Sequence, residues 1–432
     1  MKKIIVFLLG LCFCSPSFAL DSDSVSGLTL ESCLRIALEN HPSLRKSKGA
    51  SRVSSAQLEQ TKASNRWKVS LTGRTNYNGD YDYWDDGYSE GSLGLSAAKT
   101  LYDTGVNRLN REINAEDISS SLEAERETQV SVASGAKKAY YDLVLKILNR
   151  EVEREKTANL EEHLKTARGI YEVGNSPFVE VTKAEADLAA ARVSLLKAEN
   201  DILVSQEALK VAMGVPDYDS FSLMVSAELL LPQPAGDAEQ LLSMAMEDRA
   251  DYSRAIHSVR KRELEVKAAA RDNSPTITGS VGTDLSKREA SHSANSYNAG
   301  INVNIPVIDG GQVKAKVASA RAMLEQDNAE EESLRQTIAR DVRSAALSLS
   351  SAIDRAKSSE VSVKYAEENL ELARGRYEVG VGNPLEVSDA VSTLAGSRYA
   401  LYQALYDAQI ARTELDEAMG HLPPEINIEG NM

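Results

Sequence analysis

The sequence is poor in the residues that staple small exported domains. It holds three cysteines in 432 residues, and two of them, Cys12 and Cys14, lie in the first nineteen positions. If those positions are removed, Cys33 stands alone, an internal disulfide is excluded, and packing must hold the fold together. Long apolar runs are also missing. After position 19 no stretch approaches the ~20 consecutive apolar residues that a spanning helix requires, which excludes a transmembrane helix and leaves strands as the only way across a bilayer. Positive charge is short as well. The formal charge is −15, it becomes −17 without Lys2 and Lys3, and the pI is near 5.0. A nucleic-acid partner is excluded on that balance. The five histidines, His41, His163, His257, His292 and His421, show no metal-ligand spacing and are expected on solvated surface. Gly310 and Gly311 open a helix with no Lys-Ser/Thr behind them, so they read as a strand-to-helix corner and not as a phosphate cradle. Serine is plentiful without a nucleophile-elbow pattern. An enzyme, a cofactor and a metal therefore have no support in the sequence.

What is present begins with MKKIIVFLLGLCFCSPSFA, residues 1–19. Two lysines, an apolar core from Ile4 to Phe13 and Ser17-Phe18-Ala19 make a secretory leader cut behind Ala19. Leu11 and Phe13, directly before the two cysteines, are too large for a lipobox, so no lipid anchor is expected.

The rest is one unit written twice. ARGIYEVGNSPFVEV at 167–181 returns as ARGRYEVGVGNPLEV at 373–387, with Tyr171 and Tyr377 206 positions apart, and Asp103 and Asp309 keep the same offset. This gives repeat one at 20–220, a linker at 221–236, repeat two at 237–420 and a tail at 421–432. In repeat one, 28–65 reads as a helix. Trp67, Val69, Leu71, Gly73, Thr75 and Tyr77 then alternate as a strand, 78–90 is an acidic aromatic loop, and 92–99 is a weaker second strand. The strand hairpin thus occupies 67–99. A helix follows over 105–173, long enough at 1.5 Å per residue to reach ~100 Å. Gly174 closes it, Ser176 is placed as N-cap, and Pro177 takes the first helical position. The returning helix carries Val181, Leu188, Leu195, Ile202 and Leu209 at seven-residue spacing, with a second row of Ala184, Ala191, Ala198, Ser205 and Ala212. Repeat two repeats this order, with a helix over 238–273, a strand hairpin at 275–306 and a long helix to Val379. Gly380 makes the turn, Asn383 is the N-cap, and Pro384 opens the return.

A heptad pattern of this length demands helical partners and a supercoil. The two shorter helices of a repeat, stacked end to end, match its long one. The fold class is therefore mainly α with a small β part: duplicated helical hairpins forming a rod, strands at one end and Gly turns at the other. Four strands cannot close a membrane barrel, so strands from several chains must combine.

In these residues the chain resembles the TolC-like outer-membrane efflux proteins. The likeness rests on LTLESCLRIALENHP at 28–42, the doubled ARGxYEVG turn with its EV dipeptide, and NIPVIDGG at 304–311, weakly echoed by KTLYDTG at 99–105. It implies a homotrimer with a twelve-stranded barrel in outer-membrane lipid and an α-helical barrel through the periplasm. The implied function is an exit duct of a tripartite efflux or type I secretion system, docked through a periplasmic adaptor on an inner-membrane pump. It further implies a periplasmic gate of acidic residues just past the turns, here Glu386, Asp389 and Glu180, with Tyr377 at the place of a bracing tyrosine. The arginine that braces some members is replaced by Gly382. The tips Gly174, Gly380, Pro177 and Pro384 are the implied adaptor contacts.

Elementary chemistry offers second roles for the same residues. Glu386 stands three past Asn383, where a capping-box acid belongs, and Glu180 suits the positive end of a helix dipole. Asp389 has no capping role. One helical turn from Glu386, it would add to a ring of six carboxylates under threefold symmetry, attracting cations. Tyr171 and Tyr377 read most simply as seam residues. A soluble periplasmic coiled-coil scaffold without a pore, and an extended adhesin, are the competing readings of the same helices.

Overall fold

The structure is a computed structural model that describes residues 29–80, 83–174, 176–216, 229–288 and 294–423. The leader, its cut site, half of the linker and most of the tail lie outside the described residues. Repeat one comprises α1 (Leu30–Asn40), α2 (Pro42–Ser64), β1 (Lys68–Asp80), β2 (Tyr83–Tyr102), α3 (Val106–Glu172) and α4 (Phe178–Ala212). Repeat two comprises α5 (Ala238–Asp248), α6 (Ala250–Ala269), β3 (Thr276–Arg288), β4 (Ala294–Asn304), α7 (Gln312–Glu378) and α8 (Pro384–Met419).

The long helices α3 and α7 have 67 residues each, ~100 Å at the α-helical rise. Both start at the same kind of corner. Asp103 accepts backbone N–H bonds from Gly105 and Asn107 at 3.0 and 2.7 Å, and Asp309 accepts them from Gly311 and Val313 at 3.0 and 2.9 Å. A carboxylate at the entry satisfies otherwise orphaned N–H groups and sits well in the helix dipole. Gly310-Gly311 is thus a strand-to-helix corner.

The single helices expected over 28–65 and 238–273 are each two. In the first, Pro42 bars the α conformation to the residue before it, and His41 is extended at φ −62°, ψ 130°, its Nδ1 accepting from the Ser43 N–H at 3.2 Å. In the second no proline intervenes. Arg249 is extended at φ −69°, ψ 119°, held by two bonds to Asp251 (2.9 and 2.6 Å) and one to the Ala418 carbonyl (3.1 Å). The end of α8 therefore fixes that break from outside.

The strands form one antiparallel sheet in the order β1-β2-β3-β4. Pairing continues through Asn76–Glu90 and Asn78–Tyr88, so the stretch expected as a loop over 78–90 is largely strand. Continued pairing satisfies the backbone, and tyrosine and tryptophan suit strands. Directly opposed residues share a face. One face carries Val69, Leu71, Leu93, Leu95, Val281, Leu285, Tyr297, Ile301 and Val303, all substantially exposed. The other carries rows such as Ser70, Ser96, Gly282 and Asn298, or Thr72, Gly94, Asp284 and Ser296. Among the described residues nothing covers the apolar face, and β1 and β4 are open edges.

The heptad rows of α4 and α8 are buried or half-buried throughout, against α3 and α7 respectively. Toward the turns α3 packs on α4 and α8, and α8 on α7, so α4 and α7 are the outer members. Toward the sheet α2, α3, α6 and α7 take the same order.

Candidate functional site at the hairpin tips

Both turns rest on a glycine in the left-handed region, Gly174 at φ +80° and Gly380 at φ +75°, each donating its N–H to the tyrosine three residues earlier at 2.8 and 3.0 Å. Beyond that the turns differ. In the second, the N–H groups of Val381 and Gly382 both reach the Arg376 carbonyl, at 3.0 and 2.8 Å. Asn383 caps α8 by accepting from the Leu385 N–H at 2.9 Å, with Pro384 at the first helical position as expected. In the first, Pro177 itself is the N-cap and the helix starts at Phe178, one residue later than the sequence suggested. Ser176 does not cap the backbone. Its hydroxyl donates to Glu180 Oε2 at 2.8 Å, because the carboxylate one turn into the helix is the stronger acceptor.

Glu386 and Asp389 are both exposed, one helical turn apart, and Glu180 is half-buried. The Glu386 carboxylate turns to Arg376, 3.7 Å away, and leaves the capping of α8 to Asn383; the reciprocal box is found instead at Thr29 and Ser32 of α1. Gly382 lies so close to the end of α7 that an added Cβ would stand 2.7 Å from the Tyr377 nitrogen. No arginine fits at that backbone position, so a brace from there is closed to this chain.

Tyr377 is buried in the tip core among Val181, Ala184, Ala373 and Val387. Its hydroxyl has no hydrogen-bond partner among the described residues. Burial pushes the phenol above its ordinary pKa, and the charge of Glu180, from the opposite hairpin, adds to this. Tyr171, expected in the seam like Tyr377, is 43% exposed and packs its ring on Phe178 instead, centroids 5.4 Å apart. Turn two has Pro384 at the place of Phe178, 206 residues on, so this aromatic pair has no counterpart there.

Several residues here escaped the sequence reading. His163 is not solvated: it is 7% exposed and lies against the Tyr377 ring at 5.6 Å between centroids. Its place between Leu160, Leu164 and Ala167 on the core side of α3 was the available signal. His257 and His421 are half-buried in pairs with Glu116 and Asp248 at 2.7 and 2.9 Å, and His292 lies outside the described residues. Polar ties also join the two hairpins. Ser388 donates to Asp187 at 2.8 Å, Arg374 to Asn159 at 2.7 Å, and Tyr399 to the buried Glu153 at 2.7 Å; Arg398 bridges Glu155 and Glu367. Among the described residues no group of three or more His, Cys, Asp or Glu side chains could hold a metal ion.

The doubled hairpin with an open amphipathic sheet defines a class, and comparison with known proteins gives it a family. A family model described as outer membrane efflux protein matches residues 33–215 and 241–421. The chain belongs to the outer membrane efflux protein family. It is 24% identical to the outer membrane efflux protein BepC of Brucella suis over 404 residues, 91% of this chain and 86% of BepC. It is 22% identical to the outer membrane protein TolC of Vibrio cholerae over 302 residues, 68% and 69% of the two chains. Among solved structures, the CusC fold superposes with a TM-score of 0.79 at 20% identity, covering 94% of this chain and 96% of CusC. The fold is thus that of the outer-membrane efflux channels, and the protein is an outer-membrane protein. The scaffold and adhesin readings give way to that membership.

Proposed function

We propose that three copies of this chain close around a common axis to form the outer-membrane exit duct of a tripartite efflux or type I secretion system. The observation that carries the reading is the sheet: apolar on one face, hydroxyl- and amide-rich on the other, and unpaired at β1 and β4. An open edge is untenable in lipid, and four strands are too few to close. Three copies would supply twelve strands, with the apolar face toward lipid and the polar face around water. The helices support the same count of faces. Val193, Leu196, Leu203 and Val211 on α4, and Leu347, Val361, Tyr365 and Leu372 on α7, are exposed on the two outer members of the row. Among the described residues neither stripe has a partner within the chain, and each suits the other on a neighbouring copy.

In this reading Glu386 and Asp389 ring the periplasmic constriction, Glu180 stands behind them, and Tyr377 contributes its ring to the closed packing. The exposed turns at Gly174, Pro177, Gly380 and Pro384 meet a periplasmic adaptor that links the duct to an inner-membrane pump. Detergent-extracted protein run on gels with and without heating tests the assembly. A heat-sensitive trimer that also conducts in planar bilayers is expected, and a monodisperse single chain soluble without detergent would end the reading.

A further inference from the structure

We propose that His163 is a proton-operated latch between the two hairpins: neutral, it lets their tips pack together, and protonated, it drives them apart. Its effect on flow rests on the duct reading above, whereas the protonation itself belongs to a single protomer.

Three observations meet at this residue. His163 on α3 is 7% exposed, within the apolar core shared by α3, α4, α7 and α8. Its Nδ1 is enclosed with no hydrogen-bond partner among the described residues. Its ring lies tilted against Tyr377 of the opposite hairpin, whose enclosed hydroxyl offers a partner to nothing in reach. A neutral imidazole leaves its enclosed Nδ1 unmet in such a place. An imidazolium must donate from both and carries a charge into apolar surroundings, so the same site that tolerates one form rejects the other.

The charged groups around it come from each neighbouring helix. α4 contributes Glu180, Lys183 and Asp187, and α7 contributes Arg374. Arg374 is itself 3.6 Å from Glu162 on α3, and α8 presents Ser388, whose hydroxyl is committed to Asp187. Burial holds the imidazole below its ordinary pKa of 6.5; Asp187 and Glu180 oppose this, and Arg374 and Lys183 assist it. The parted state therefore binds the proton more readily than the packed one. Packing is at full strength above the ordinary imidazole pKa of ~6.5 and weakens as pH falls below it. Within each hairpin the heptad seams are untouched by this, so the joint between hairpins yields first. Once parted, Asp187 and Glu180 can pair with the wetted imidazolium.

The test is conductance of the purified full-length trimer in planar bilayers at about pH 7.5 and about pH 5.5, on either side of the free imidazole's ~6.5. A reversible, several-fold rise on acidification is expected, and His163→Phe should abolish it. A step that survives unchanged in His163→Phe, or no step in the parent, overturns the latch. Should His163→Phe fail to assemble, spin labels on Val173→Cys and Val379→Cys in the parent background decide. Both sites are exposed and the native Cys33 is buried. Label distances must lengthen on the same pH drop, and fixed distances overturn the proposal. A chain that never conducts counts against the duct reading, and the label distances then still decide the latch.

Discussion

Gly214 abuts His41 edge to edge: a Cβ on the glycine would lie 2.6 Å from the His41 Cα and 3.0 Å from its nitrogen. Repeat two rebuilds the joint with Gly420 against Arg249, where the added Cβ would stand 2.9 Å from the Arg249 Cα. Both glycines are left-handed, at φ +74° and +76°. The end of each return helix is thereby seated on the break in each short helix pair. Gly214→Ala combines left-handed strain with a backbone clash and should cost about 2–3 kcal/mol. Gly49→Ala, in α2 with open space around it, should instead stabilise by about 0.5–1 kcal/mol. Thermal melts followed by circular dichroism in detergent check both, and a Gly214→Ala protein as stable as the parent would mean the joint is slack.

Replacing Glu386 and Asp389 together with Ala should raise leak conductance of the trimer and reduce its preference for cations. In the proposed duct Asp389, together with Glu386 beside Arg376, would place two carboxylates per chain at a narrow water path, where they would attract cations and hinder anions. Reversal potentials in a salt gradient read this directly, and an unaltered potential removes both residues from the gate.

Tyr377 separates ring from hydroxyl. Because the hydroxyl is enclosed without a partner, Tyr377→Phe should be neutral or stabilising by up to about 1 kcal/mol, with unchanged conductance at neutral pH. Tyr377→Ala should cost about 3–5 kcal/mol by opening a cavity in the tip core. A leak in the Phe variant would show that the hydroxyl braces the tip after all.

Arg249 and Asp251 form a mostly buried pair, and Arg249→Ala should cost about 3–5 kcal/mol by stranding the carboxylate. Burial raises the Asp251 pKa, but the hydrogen bond and charge of Arg249 outweigh it and hold the carboxyl below its usual range. A depressed folded pKa contributes stability above the unfolded value of ~3.9 that disappears as pH falls through the folded value. The parent should therefore lose melting temperature below about pH 4, and Arg249→Ala should lose less over the same range. Parallel pH profiles for the two proteins would contradict this.

Cys33 is fully buried, and burial pushes its thiol up to about 12. A maleimide at neutral pH should label the protein only after denaturant is added, since the thiolate is the reacting species. Labelling of the native protein within minutes would place the thiol in contact with solvent.

Repetition made most of this fold readable. The heptads of α4 and α8, the Gly174 and Gly380 turns and the aspartate corners announce themselves because they occur twice. The break at His41 is legible too, in Pro42, which disfavours the helical conformation at the residue before it. The break at Arg249 could not be read, because it depends on a carbonyl at Ala418, far along the chain. The same holds for the tip. Gly382 looked like a missing arginine until the backbone around it showed that no side chain has room. For His163 the signal lies in its position on α3, in register with Leu160, Leu164 and Ala167, and not in its residue type.

The repeats are not identical in spacing. From α1 to β1 they match α5 to β3 at an offset of 208, and from α3 onward α7 and α8 follow at 206, so the two-residue difference falls between the first strand of each hairpin and the following long helix. A closed trimer of such chains, as proposed, would be threefold and only roughly sixfold. A docking ring around its tips would meet two unlike seats in alternation, one presenting Phe178 with Tyr171 and the other Leu385 with Gly382. A partner made of six equal subunits would have to bend every second one to fit.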